Sequence, residues 1–194
     1  MSIRLPAAAR REQLLEAAMN VFAEKGYHET SMNDVALAAG VTKPVLYQHF
    51  DSKRDLYLAL IDEAGSRLMA AITAPRIIAS NGRLRTELGF RAYFEWVRND
   101  NAAFTLLFGG GSRREAEFSE AVERFTSQVA DAIEPLITAD IDTEHRRTLA
   151  HAIVGLAEGV SRRLIRQGGE FDATAIAKQV SDLAWAGLRA AQRS

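Results

Sequence analysis

Between Thr42 and Phe50 the chain reads Thr-Lys-Pro-Val-Leu-Tyr-Gln-His-Phe, five hydrogen-bonding side chains within nine residues. These types suit reading a surface better than making or breaking a bond. A glutamine amide offers both a donor and an acceptor, so Gln48 matches an adenine edge. Lys43 suits guanine, and the methyls of Val45 suit a thymine methyl. Tyr47, with a hydroxyl on a rigid ring, and Lys53, close to a helix start, suit phosphate oxygens. His49 is read as a backbone contact. Thr42 stands where a helix cap is needed, and its hydroxyl can also meet phosphate. Leu46 and Phe50, four residues apart, are read as core.

Sites for bond chemistry are not found. Gly109–Gly111 follows no strand and lacks the Gly-Lys-Ser/Thr ending of a phosphate loop. Ser112 with Glu115 instead reads as a capping box that opens a helix. His145 and His151 are six apart, without the i, i+4 spacing of a helical zinc pair, and no cysteine is present. There is no Gly-x-Ser-x-Gly elbow. We expect no enzyme, no metal and no cofactor.

The elements that position the polar stretch are helical. Leu14, Leu15, Ala18, Val21 and Phe22 mark a helix from about Ala9 to Lys25, stopped by Gly26. Ser31 with Asp34 opens a short second helix that closes on Gly40. Thr42 caps a third, whose first turn tolerates Pro44 because an amide hydrogen there has no helical partner. Ser52 with Asp55 opens a fourth, running from about Lys53 to Thr73 and ended by Pro75. Helix, short helix, tight turn and second short helix make a helix-turn-helix unit, whose final helix lies in a major groove.

In this register the segment Thr30–Leu60 resembles the DNA-binding signature of TetR-type transcriptional regulators, with Ala39, Gly40, Val41, Tyr47, His49, Phe50, Ser52 and Lys53 all in step. Pro44 with Val45 departs from the small residue pair of many members, a change that bears on base preference. The resemblance implies an all-α protein: a three-helix DNA-binding domain, residues 1–53, joined to a larger ligand-binding and dimerising helical domain, residues 54–194, about nine helices altogether. It also implies double-stranded operator DNA and a small-molecule effector as partners.

Charge adds little. The net charge is −1, and residues 1–55 balance seven Lys or Arg against seven acids, so a positive face must come from geometry. Arg4, Arg10 and Arg11 read as a frayed terminus in preference to a minor-groove arm. No run reaches the roughly 20 apolar residues of a membrane span, and the start lacks a signal peptide's apolar region, so a cytoplasmic protein is expected.

Downstream, Phe90, Tyr93, Phe94 and Val97 fall at i, i+3, i+4, i+7, followed by Phe104, Leu107 and Phe108. Most of this is read as core. Phe90, Phe94, Trp96, Phe104 and Phe108 are the candidates for an effector pocket, with Trp96 as a wall off the main stripe. In the last two helices Leu149, Ile153, Leu156, Val160 and Leu164 form one apolar stripe, and Ile176, Val180 and Leu183, extended by Gly187, form another. Helical glycine costs about 1 kcal/mol relative to alanine, so Gly155, Gly159 and Gly187 call for a close helix neighbour. We expect Leu149, Ile153, Leu156, Val160, Val180, Leu183 and Gly187 to meet their copies in a homodimeric four-helix bundle.

Overall fold

The computed structural model describes residues 6–74, 81–109, 115–138, 140–168 and 170–191. Among them the helices are α1 (Ala7–Glu29), α2 (Met32–Ala38), α3 (Lys43–Tyr47), α4 (Lys53–Thr73), α5 (Gly82–Asn99), α6 (Asn101–Phe108), α7 (Ala116–Ile133), α8 (Thr143–Arg166) and α9 (Ala173–Ala191). The fold is all-helical, as the periodicity predicts.

Local chemistry sets the boundaries. Gly26 adopts φ 79°, ψ 168° and breaks α1 where the sequence predicts a stop; Thr30 Oγ1 then donates to its carbonyl at 2.8 Å. The predicted capping box forms at α2: Asp34 N–H donates to Ser31 Oγ at 3.1 Å, and Ser31 N–H donates to the Asp34 carboxylate at 2.8 Å. The end of α2 is a Schellman closure. Val41 N–H donates to Ala36 O at 2.9 Å and Gly40 N–H to Leu37 O at 3.1 Å, with Gly40 at φ 64°, a region that favours glycine. At α4, Ser52 Oγ accepts from Asp55 N–H at 3.0 Å, while the Asp55 carboxylate reaches Asp51 N–H instead of the cap's own amide. Asp142 and Asp172 cap α8 and α9. Pro75, Gly110, Gly111 and Ser112 lie outside the described residues.

Contacts divide the chain into two compact units: Met1–Ala64 with Ala102–Ala121, and Gly65–Asn101 with Val122–Ser194. The division falls inside α4 and α7. In the first unit Leu14, Phe22, Val35, Leu46, Phe50, Leu56, Leu60, Phe104 and Leu107 are buried, each worth roughly 1.5–3 kcal/mol if fully covered. In the second, α5 packs along α9, and a Cβ added at Gly65 would come within 2.8 Å of the Phe125 ring, so α4 and α7 approach closely there. Ala130, Ile137 and Ala150 form a small core with Ile133, Ile141, Leu149, Ile153, Val154 and Leu188 against it.

Candidate nucleic-acid interface

Helix α3 is held from beneath and left open above. Leu46 is wholly buried and Phe50 nearly so, as their spacing predicts. The Arg11 guanidinium lies 4.9 Å from the Phe50 ring centroid, and Gln13 Nε2 donates to Ala39 O at 3.0 Å, tying α1 to the turn before α3. With that underside fixed, Thr42, Lys43, Pro44, Tyr47 and Gln48 are exposed, and Val45 and His49 are half-buried. Tyr47 is 43% exposed, unusual for a large side chain with so much apolar area, and the Lys43 ammonium stands 5.8 Å from its ring centroid.

Thr42 has cap geometry, φ −84° and ψ 151°, and its carbonyl accepts from Val45 N–H at 3.0 Å. Its hydroxyl makes no cap bond, contrary to expectation. Pro44 explains part of this, since a proline in the first turn removes one of the amides a capping side chain could take. The hydroxyl therefore stays available to an outside partner.

Lys53 departs furthest from the sequence reading. Its ammonium donates to Tyr27 O at 2.9 Å, to Thr30 O at 2.9 Å and to His28 O at 3.4 Å, and lies 4.5 Å from the Tyr27 ring centroid. An ammonium has three donors, and here the end of α1 occupies all of them. In this structure Lys53 thus clasps α1 to α4. Spacing alone could not reveal this, because the acceptors are backbone carbonyls more than 20 residues away.

The other cations sort the same way. Lys25 pairs with Asp34 at 2.8 Å, and the lysine together with the Ser31 hydrogen bonds holds that carboxyl well below the usual carboxylate range. Arg54 pairs with Glu117. Among the described residues, Lys43, Arg10 and Arg11 have no acidic partner in salt-bridge reach. Arg10 and Arg11 belong to α1, and Arg10 Nη1 donates to Gln13 Oε1 at 2.7 Å, so they are not frayed. Arg4 lies outside the described residues. Leu37, 79% exposed on α2, is a large apolar residue that the sequence reading does not single out.

Beneath α1 and α4 an aromatic nest joins Phe22, Tyr27, Tyr57 and Phe118, with centroids 4.5–6.2 Å apart in five pairings. Burial pushes the Tyr57 phenol up to about 12. His28 faces Glu115 at 3.5 Å. The start of α7 is therefore fastened to the helix-turn-helix within one unit.

In the expected pocket, Phe90, Phe94 and Trp96 are buried in the second unit, and Phe104 and Phe108 in the first. None lines the open groove of about 430 Å³ bordered by Arg83, Asp182, Trp185, Ala186, Arg189 and Ala190.

Of the expected contact stripe, Leu149 and Ile153 pack on their own unit's core and Val180 is buried, so these three back the surface. Leu156 and Val160 are half-buried, Gly187 is exposed, and Leu183 is 64% exposed. Exposed beside them are Ala152, Gly155 and Gly159 on α8, and Ala186 and Ala190 on α9, the last two bordering the groove that Arg83, Asp182 and Arg189 also line. A Cβ added at Gly155, Gly159 or Gly187 would meet nothing within 4 Å. Packing among the described residues gives no reason for these glycines.

Comparison with known proteins agrees with this geometry. Residues 14–60 match the family described as bacterial regulatory proteins, tetR family, and residues 81–187 match the tetracyclin repressor-like C-terminal domain. The chain is 33% identical over 187 residues to the HTH-type transcriptional activator FasR of Mycolicibacterium smegmatis, covering 95% of this chain and 85% of that one. A TetR-like transcriptional regulator from Rhodococcus sp. RHA1 is 30% identical, covers 96% of this chain and 99% of its own, and superposes with a TM-score of 0.80. The transcriptional regulator FadR from Bacillus subtilis, solved in complex with stearoyl-CoA, is 17% identical with a TM-score of 0.77, covering 89% and 96% of the two chains. These relatives are regulators, not enzymes. The chain belongs to the TetR family of transcriptional regulators.

Proposed function

We propose that this regulator is a ligand-responsive repressor that binds a near-palindromic operator as a dimer and leaves it when a small-molecule effector binds. The observation that carries the reading is α3, whose apolar side is sealed by Leu46 and Phe50 while Lys43, Tyr47 and Gln48 stand exposed. In the proposed complex Gln48 and Lys43 read base edges, Val45 meets a thymine methyl, and Thr42, Tyr47 and His49 hold the backbone. Pro44 stiffens the leading end. Lys43, Arg10 and Arg11 supply the unneutralised positive charge.

A dimer follows from the mechanics of reading two half-sites, which need recognition helices about 34 Å apart. The exposed small and apolar residues of α8 and α9 support that interface, with Leu156, Val160, Leu183 and Gly187 in it and Leu149, Ile153 and Val180 behind. The division into 1–53 for DNA and 54–194 for ligand and dimer is kept as the functional one. An effector favouring one recognition-helix separation would shift the population away from the operator-matched state, with α4 carrying the motion. The solved complex of the Bacillus subtilis regulator with stearoyl-CoA supports the idea that this fold houses an effector.

A second reading has its own observation, because the relative at 33% identity is named an activator. Mobility-shift titration with the protein's own upstream DNA tests the regulator reading, which fails if no specific shift forms. Run-off transcription from a shifted fragment separates the two: added protein lowers transcript for a repressor and raises it for an activator. No helix among the described residues is long and apolar enough to cross a membrane. We place the protein in the cytoplasm, where its operator would be.

A further inference from the structure

Two adjacent arginines of α1 are fixed in position without losing their charge. The Gln13 amide spends both of its ends inside the protein: Nε2 donates to Ala39 O at 3.0 Å, and Oε1 accepts from Arg10 Nη1 at 2.7 Å. A carbonyl only accepts, so the amide must turn its NH2 toward Ala39, which leaves its oxygen facing the guanidinium. Ala39 is the C-cap of α2 and stands three residues before Thr42. Arg10 is thereby tied through Gln13 to the turn that leads into α3. Arg11 is tied beyond the other end of α3, its guanidinium 4.9 Å from the ring centroid of Phe50. Both anchors are neutral. Lys25 and Arg54, by contrast, are held by carboxylates that offset their charge.

We infer that Gln13 is a positioning residue: it holds the Arg10 guanidinium beside the α2–α3 turn, so that the remaining N–H groups take a phosphate of the DNA backbone. The inference rests on the DNA-reading role of α3 proposed above. A guanidinium carries five N–H donors and Gln13 engages one of them, so a forked pair is left for phosphate oxygens. An untethered arginine gives up its rotamer freedom when it binds, and Gln13 removes part of that cost in advance. The neutrality of the anchor matters as much as its geometry. A carboxylate at position 13 would aim the side chain equally well, but would offset the charge that attracts a phosphate. Residues 1–55 carry no excess of positive charge, so attraction to DNA depends on the few cations that no acid neutralises.

The test is the affinity of the full-length protein for its own upstream DNA, measured by mobility shift between about 50 and 200 mM salt. The parent is compared with Arg10→Ala, Gln13→Met, Gln13→Glu and the double variant Arg10→Ala with Gln13→Met, each shown to be folded by circular dichroism. Arg10→Ala should lower the slope of log K against log salt by about 0.9, on the upstream fragment and on an unrelated duplex alike. Gln13→Met keeps the charge, so it should leave the slope in place and weaken binding roughly two- to tenfold, the cost of ordering one long side chain. In the Arg10→Ala background the same change should weaken binding no further. Gln13→Glu should lower the slope as far as Arg10→Ala does, and a slope equal to the parent's overturns the charge argument. A loss in Gln13→Met of the same size with and without Arg10 overturns the positioning role, because a merely structural tie between α1 and the turn acts whether or not the arginine is there. An unchanged slope in Arg10→Ala overturns the phosphate contact. A parent protein that gives no specific shift removes the operator reading together with this inference, whereas a specific parent shift beside any of the other failures leaves the operator reading standing.

Discussion

Replacing Lys53 by methionine separates two physical roles that one lysine position could fill. The stem still packs, but Tyr27 O and Thr30 O lose donors at 2.9 Å, and the Tyr27 ring loses a cation 4.5 Å away. Hydrogen bonds from a charged donor contribute about 1.5–3 kcal/mol each, and water recovers much of that at a half-buried site. Adding about 0.5 kcal/mol for the ring gives a net loss of about 2–3 kcal/mol. In a chain of this size each kcal/mol moves Tm by about 2–4 °C, so melting should fall by roughly 4–12 °C. The companion measurement is the salt dependence of operator binding. A phosphate-gripping lysine would contribute about 0.9 to the slope of log K against log salt; a clasp contributes nothing. Unchanged melting with a slope reduced by about one unit would refute the clasp and restore the reading made from the sequence.

Three other perturbations test separate links. Gln48→Ala should cost about 1–3 kcal/mol on the preferred operator and much less on an operator changed at one base pair, read by competition mobility shifts across single-base variants; equal loss on all of them means Gln48 does not read a base. Leu183→Asp, and separately Gly159→Leu, should give monomers in sedimentation velocity with helical content unchanged, because Leu183 is 64% exposed and a side chain at Gly159 meets open space within its own chain. Dimers that survive both changes place the interface elsewhere. Asp34→Ala should lower stability by removing the capping-box bond to Ser31 N–H and the pair with Lys25. Because Lys25 and Ser31 depress the folded carboxyl's pKa, that contribution is complete above the unfolded value near 4 and fades as pH falls below it. The variant's melting should therefore vary less between pH 5 and pH 3 than the parent's, and parallel curves would count against the pair.

The helix starts and stops were legible because each depends on residues within four positions of one another. Ser31 with Asp34, Gly40 after α2, Thr42 with Pro44 and Ser52 with Asp55 all lie where their spacing puts them. The buried side of α3 was legible for the same reason, since Leu46 and Phe50 are one turn apart. Lys53 was not, because its partners are carbonyls at the far end of α1 and nothing in the sequence marks a carbonyl as unsatisfied. The Thr42 hydroxyl departs from the cap its residue type implies, because Pro44 withdraws an amide. Arg10 and Arg11 are ordered where a frayed end is expected, because α1 begins earlier than its apolar stripe does.

The α8 and α9 stripes show a further limit with a physical cause. A period of 3.6 identifies an apolar face, but an apolar face wider than one neighbour can cover has two edges. Leu149 and Ile153 turn to their own core, and Leu183, on the other edge, stays exposed. Large residues report burial without saying by what. Glycines add a second kind of information, because their helical cost of about 1 kcal/mol calls for a reason. At Gly65 the obstructed ring is Phe125, in the same unit. At Gly155, Gly159 and Gly187 a Cβ would meet nothing within 4 Å among the described residues, which leaves room for the proposed second copy.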